Sequence, residues 1–490
     1  MRKRLALSFL IGFAGSACGQ RAPEPAAPTA QATVADEAVS LEELRAEAQR
    51  QWREATGEPT LHLPEANVYI PPEDRLIDTL AVAAAYDDDA IRVYFRFPTD
   101  NPSWYHQYWV YDGDAWQRYG ESGVGPQPLG LYEDRFGWMI DDGSVDGFAE
   151  WGGYTIMHPG IRSRTDEVSE GEVQDHPWLG EKLGEDDVRK FLAESREGEL
   201  DSELWRRVRP ADELAALRAQ GVFLDSIQWR AHRSGPLGYA DNGTILDYRH
   251  SAEGRGMYTT NWSDDDDHPR WMFDPEQTGI RALRADRLLR REYTQDDPYF
   301  LAKDVAADFD PDHDWQVGDV IPHRLLRQPS GSRGAARGDG RWADGAWRVS
   351  IERELEADNP LDSKTLVPGQ VTNVAFAVHS DATGARWHRS SMPLTLGLGT
   401  GANVEAVHVA EGLDEHEPQR WVEVPIFYVG QLDLGWLLDN GHPVHQRYQE
   451  ARRAPLDADA VEQFTRALVA HELELLRERG IHEPEMEPGS

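Results

Sequence analysis

Three stretches of the chain set histidine or methionine among aromatic residues. The first runs from Glu133-Asp134-Arg135 through WMIDDG into FAEWGGYTIMHPG, with Met139 on a predicted strand and Met157-His158 just before a proline. The second is IQWRAHRSGPLGYADNG, with His232 three residues after Trp229. The third is VAFAVHSDATGARWHRSSMPLTLGLG, with His379 at a strand end and His388 shortly after. Imidazole nitrogen and thioether sulfur are axial donors for haem iron where no thiolate is at hand. Arg230, Arg233 and Arg386 lie in the same stretches, and a guanidinium matches a carboxylate such as a haem propionate with two parallel bonds. The same residue types also have plain uses. Methionine on a strand fills cores, histidine sits satisfied in a core or on a surface, and arginine solvates surfaces or forms structural ion pairs. Other chemistries lack their motifs. Asp308, Asp310, Asp312 and Asp314 alternate like a calcium loop but lack the glycine and distal glutamate of one. The run Asp264 to Asp267 with His268 reads as a solvated loop. No GxSxG, HExxH, Walker or dinucleotide pattern is present, and no paired acid and base reads as catalytic.

The elements that must position these residues are mostly strands. LIDTLAVAAAY, IRVYFRFP, HQYWVYDG and AWQRYG alternate and end in turn residues. Strand texture returns in VFLDSIQWRAHR, AWRVSIERELE, VTNVAFAVHSD and MPLTLGLG. Ser40 with a glutamate three residues on predicts a capped helix over 40–56. EDDVRKFLAES and PADELAALRAQG predict helix within 184–220, closed by Gly221. The stretch 241–340 is long and polar, and 457–479 predicts an amphipathic helix with Val461, Phe464, Leu468 and Leu475 on one face. Many short strands with few helical runs predict a mainly β fold, a β-sandwich with a helical insertion at about 160–222 and a C-terminal helix.

Cys18 is the one cysteine among 490 residues. It follows a basic start, an apolar run and Gly15-Ser16-Ala17, the pattern of a bacterial lipoprotein signal. The expected organisation is therefore a signal peptide over 1–17, an Ala/Pro-rich tether over 18–39 and a short helical lead-in over 40–64. A sandwich over 65–410 and a C-terminal extension over 411–490 follow. Membrane lipid would attach at Cys18, and the location is periplasmic. Gly19 rather than aspartate follows the cysteine, which favours the outer membrane. With one cysteine, the body holds no disulfide and no covalent CxxCH haem. The formal net charge of −37 excludes nucleic acid as a natural partner and fits a well-solvated surface in a salty medium.

The order of segments resembles the haem-binding domain family shared by ethylbenzene dehydrogenase gamma subunits, related DMSO-reductase-type gamma subunits and cytochrome c-552-like proteins. The matching pieces are IRVYFRFP, EDRFGWM, WRAHRSGPLGYADNG, DGAWRVSIEREL, VAFAVHSDATGARWHRSSMPLTLGLG and VEVPIFYVGQLDLGW, spread over about 75–437. The resemblance implies an immunoglobulin- or DOMON-like sandwich holding one non-covalent haem b, with methionine and lysine as iron ligands. The methionine falls at Met139. The lysine falls near Asn373, where this chain has none. His379 shares that strand face but lies about 20 Å further along. Where larger relatives carry a c-type haem, this chain has Tyr154 and Met157 in place of cysteines and keeps His158. The candidate iron ligands are thus Met139 with His158, His232 or His379. The implied function is electron transfer to or from a periplasmic redox enzyme or cytochrome, with the chain not itself an enzyme. A second reading is a haem-less sandwich lipoprotein that binds carbohydrate or another small ligand through its aromatics. A third is a structural partner of a redox complex.

Overall fold

The computed structural model describes residues 40–63, 68–120, 131–161, 168–381, 388–410, 412–413, 416–430, 432, 434–438, 442–453, 455–478 and 480. Cys18 and Arg386 lie outside the described residues. The first helix, Leu41–Thr56, forms for the reason its sequence suggests. The Ser40 hydroxyl accepts from the Glu43 amide at 3.2 Å, and the Glu43 carboxylate accepts from the Ser40 amide at 2.9 Å. Two orphan amides of the first turn are thereby satisfied.

The fold is mainly β, and its centre is one thirteen-stranded sheet. Strands Asp241–Ile245, Leu224–Arg230, Arg135–Asp141 and Val371–His379 run side by side on one half. Strands Val422–Tyr428, Ile77–Tyr86, Ala90–Pro98, Ala346–Glu354 and Arg337–Ala343 continue the other half. Its two ends come together again: Tyr239 bridges to Arg337, and the Ala240 amide donates to the Ala336 carbonyl at 3.0 Å. The two halves face each other like a sandwich. Phe95 from one half and Phe136 from the other meet with ring centroids 3.8 Å apart. Val422–Tyr428, beyond residue 410, lies inside the sheet next to Ile77–Tyr86.

Strand alternation decides which side chains enter that core. Phe136, Trp138 and Ile140 point inward with Ile227, Trp229, Val374, Phe376 and Val378. Arg135, Gly137 and Met139 take the opposite face by the period of two. A second core covers that outer face. It packs Phe148, Trp151, Ile156, Met157 and Leu192, all from the insertion, which takes up the whole interval between strands Arg135–Asp141 and Leu224–Arg230 rather than about 160–222, with Tyr448, Phe464 and Leu468 of the C-terminal helices. Helix Ala458–Glu478 buries Val461, Phe464 and Leu468 as its periodicity predicts, with Leu476 rather than Leu475 completing the buried face.

Two local expectations change. Of EDDVRKFLAES, only Ala193–Ser195 turns, as a short 3₁₀ helix. The backbone bonds that a helix would use run to neighbours instead: Phe191 O accepts from His158 N at 2.8 Å, and Leu192 N donates to Leu246 O at 2.8 Å. PADELAALRAQG does form a helix, Ala211–Ala219, and Gly221 closes it at φ +82°. The polar stretch 241–340 supplies several short strands. Two of them join Tyr108–Tyr111 and Trp116–Tyr119 in a separate four-stranded sheet. Among the described residues no helix is long and apolar enough to cross a membrane.

Candidate functional site

On the outer face of the sheet, four adjacent strands present small side chains in a row. Gly137 pairs with Ala377 and Gln228, Met139 with Ala375 and Ser226, and Ala377 with Ser390. Gly137, Ser226, Ala375, Ala377 and Ser390 make a low floor, and larger residues stand around it. Met139, Arg135, Gln228, His379, His388, Tyr154 and Lys190 line the cleft. All the empty space between its walls, open mouth counted, is about 530 Å³, but the room left for the centre of a water molecule is only about 30 Å³. Tyr154 and Lys190 come from the insertion. The insertion crosses so close to the sheet that a Cβ on Gly153 would stand 2.4 Å from Met139 Sδ. Any larger residue there would push the Met139 thioether aside and press on the Phe148 ring.

One end of the cleft is basic and buried. Arg135 is 8% exposed, and burial lowers its affinity for its own proton, with the Tyr132 ring 4.9 Å below it as partial compensation. Its Nη2 donates to His379 Nδ1 at 2.9 Å, while its Nε has no partner among the described residues. Behind Gln228, outside the cleft lining, burial brings Arg249 down to about 10, and its Nη2 donates to Gln228 Oε1 at 3.0 Å. Neither arginine has a carboxylate within 4.0 Å among the described residues. Tyr258 feels the same positive field: Arg233 first, then Arg230, bring its phenol down to about 8 against the effect of burial. Only more distant acids, Glu133 for Arg135 and Asp241 for Arg249, stabilise these charges, and a cationic pocket of this kind suits an anionic ligand group.

The bond from Arg135 also fixes the chemistry of His379. A guanidinium only donates, so Nδ1 of His379 must accept, and a neutral His379 then carries its hydrogen on Nε2. A metal-bound imidazole likewise has one nitrogen bare for the metal and the other donating. His379 reaches the cleft, but its bare Nδ1 is already taken by Arg135, so it would ligate iron only by giving up that bond. Its ring stacks on His388 at 4.5 Å, and His388 meets Tyr154 edge-on at 5.0 Å.

The remaining sequence candidates divide. His158 stands behind Tyr154, ring to ring at 6.1 Å, buried and at φ +50°. It does not line the cleft. His232 belongs to a separate interior cluster with His106, Glu133, Tyr108 and Tyr299. Arg230 and Arg233, expected to serve propionates, are held by carboxylates instead. Arg230 pairs with Asp241 and reaches the floor only through Gln228 Oε1 at 2.8 Å, and Arg233 pairs with Glu133. The sequence reading missed Lys190 and Arg135. Lys190 is one of only five lysines in the chain, a rarity that marks it for inspection. Arg135 sits two register steps from Met139 on one strand face, a spacing that alternation makes visible.

The interior histidine cluster adjoins the cleft through a file of rings. Tyr132, under Arg135, meets His106 at 4.9 Å; His106 meets His232 at 6.2 Å; His232 meets Tyr299 at 6.1 Å; and Tyr299 meets Trp104 at 6.5 Å. Burial drives all three nearby imidazoles to the neutral form. His106 lies well below the ordinary value, His232 at about 4 and His323 at about 3. Glu133 stays ionised in spite of burial because Arg233 and its neighbours stabilise the charge. Among the described residues no group of three or more His, Cys, Asp or Glu is placed to hold a metal ion.

Residues 42–391 match the family described as ethylbenzene dehydrogenase. The chain belongs to the ethylbenzene dehydrogenase family. The matched span carries the floor strands, the insertion and both interior sites. Membership makes this a redox-related protein and corrects one sequence expectation. The family is named for an enzyme, a dehydrogenase, which overturns the reading of the chain as a non-enzyme. None of the curated proteins matches the chain.

Proposed function

We propose that the chain is the haem-b-carrying electron-transfer part of a periplasmic oxidoreductase, akin to the gamma subunits and tethered through lipid on Cys18. The observation that carries this reading is the outer-face cleft. Met139 rises from a floor of small residues beside a buried arginine that has no carboxylate partner among the described residues. The residues present fit a haem in their donor chemistry. Met139 offers a thioether, and Lys190 and His388, brought to the cleft by the insertion and by the segment before Arg389–Ser391, offer nitrogen. Arg135 is the charge for a propionate, in place of Arg230 and Arg233. A bound haem would supply one-electron chemistry at iron.

The protein's part is to position and to tune. The dry core behind Phe136 and Trp138 keeps water from the floor. Burial and unpaired arginines favour the state with more negative charge in the cleft. The room in the cleft is small, and Tyr154, which lines it, is held by its bond to Gly430 O at 3.1 Å. The redox partner is a periplasmic enzyme or cytochrome.

The test is absorption during haem titration of the purified chain. A Soret band that saturates near one equivalent is expected, and Met139→Ala loses or shifts it. No haem uptake by the unaltered chain overturns the reading.

A further inference from the structure

A second cavity, distinct from the cleft, holds about 550 Å³, inside the range of about 300–1,000 Å³ that small-molecule sites occupy. It opens where helix Leu41–Thr56, the loop at 100–105, the segment 288–296 and the strand Arg337–Ala343 meet. Two half-exposed indoles, Trp104 and Trp342, and the ring of Tyr293 wall it. Trp342 is fixed in place: its Nε1 donates to Thr99 O at 3.1 Å, and its backbone amide donates to Gln295 Oε1 at 3.0 Å. Aromatic faces held this way are ready for stacking, because no ordering of the side chain remains to be done.

The polar lining narrows the ligand class. Among the described residues no His, Met, Cys or Lys lines the cavity, so they offer a metal none of the cleft's donors. Its charges are nearly balanced. Arg341 grips Asp296 through two bonds of 3.0 Å, and Asp100 meets Arg75 at 3.3 Å. The amides of Gln51, Asn101 and Gln295 also line it, uncharged; Gln51 Nε2 donates to Glu47 at 2.9 Å and Gln295 Oε1 accepts from Trp342, which leaves each amide its other end and a second hydrogen or lone pair. Arg291 is the exception. It sits at φ +54°, a strained conformation for a residue with a side chain, and its Nη1 makes only a long contact of 3.4 Å to Pro102 O. No carboxylate lies within 4.0 Å of it among the described residues.

We infer that this cavity binds a saccharide. A sugar ring presents an apolar C–H face to an indole and a ring of hydroxyls that both donate and accept, the pairing that flat aromatics and uncharged amides provide. Neutral and acidic sugars share this chemistry. Arg291 is placed to meet the carboxylate of a uronic acid.

The experiment is isothermal titration of the full chain with cellobiose and, separately, with digalacturonic acid. At least one binds with a Kd of about 1 mM or tighter, and Trp342→Ala weakens it about tenfold or more. Arg291→Gly, which relieves the backbone strain, weakens the acidic sugar alone. Should Trp342→Ala unfold, as read by circular dichroism, Gln51→Leu on the outer helix takes its place and weakens binding. Met139→Ala leaves sugar binding unchanged, so failure here and failure of the haem reading are separable. No heat with either sugar up to about 10 mM, undiminished binding in the folded variants, or preferential binding of hydroquinone overturns the inference.

Discussion

Replacing His232 tests the buried histidine cluster quantitatively. The His232 ring is fully buried, its Nδ1 lies 3.1 Å from Trp104 O, and its Nε2 has no partner among the described residues. Burial is the dominant cause that brings it from 6.5 to about 4; the Glu133 charge and the Trp104 carbonyl oppose it and lose. The unfolded chain takes up a proton on this residue as pH falls through 6.5, whereas the folded chain refuses it until about 4. Folding stability is therefore complete above 6.5 and declines between those two values. At about 1.4 kcal/mol per pH unit, the decline from this residue alone reaches about 3 kcal/mol at pH 4. His323 and His106 act in the same direction. Asp78 and Glu194, whose carboxyls are raised mainly by burial, oppose them weakly. Domain stabilities are about 5–15 kcal/mol in total, so the cluster makes the protein acid-labile well above the range in which its carboxylates titrate.

The assay is urea unfolding at pH 7 and pH 4.5 for the unaltered chain and for His232→Gln, whose amide can still donate to Trp104 O. The variant starts less stable at pH 7. Its stability then falls less by pH 4.5, and the gap between the two proteins shifts by about 2–3 kcal/mol in its favour. Parallel pH dependences in the two proteins refute the argument, because they would mean that His232 takes up its proton without unfolding.

Three further changes probe the scaffold of the cleft. Arg135→Met removes a buried cation that has no carboxylate partner among the described residues; the ligand-free chain gains about 1 kcal/mol or more in urea unfolding, while haem affinity drops in the titration. Gly153→Ala places a methyl on Met139 Sδ, costs about 1–3 kcal/mol as overpacking, and displaces the thioether, which a shifted Soret maximum reports. Asp225→Ala strips the Arg353 guanidinium of its partner at 2.8 Å together with the bonds from Ser363 Oγ and Lys364 N. The buried charge left behind lowers stability by about 3–5 kcal/mol in the same unfolding assay, and haem uptake by the folded fraction stays unchanged.

The strands were legible because alternation is a local property: IRVYFRFP and RFGWMID show their inner and outer faces in the residue order itself. The first helix was legible because a capping box is a contact between residues three apart. EDDVRKFLAES was not, because its backbone bonds run to His158 and Leu246, partners that no local window contains. The site was half legible for the same reason. Met139 could be placed on a strand face, but the strand alone does not say that this face is the outer one, roofed by an insertion whose Lys190 arrives from fifty residues away.

Charge separates composition from site most sharply. The chain as a whole carries −37, and a reading from totals finds only an acidic, well-solvated surface. Yet Arg135 at the cleft, Arg249 behind Gln228 and Arg324 beside His323 are each without a carboxylate within 4.0 Å among the described residues, in a protein with 87 acidic side chains. Burying cations while acids remain at the surface is unfavourable unless something anionic enters. Structural ion pairs show that the fold can neutralise buried arginines where it needs to: Arg230 with Asp241, Arg233 with Glu133 and Arg353 with Asp225 are all matched. Arg135 is bonded instead to His379, Arg249 to Gln228 and Arg324 to Thr260, all neutral groups. Of the three only Arg135 lines the cleft, so an anion bound there would meet a buried cation that the fold has left to neutral partners.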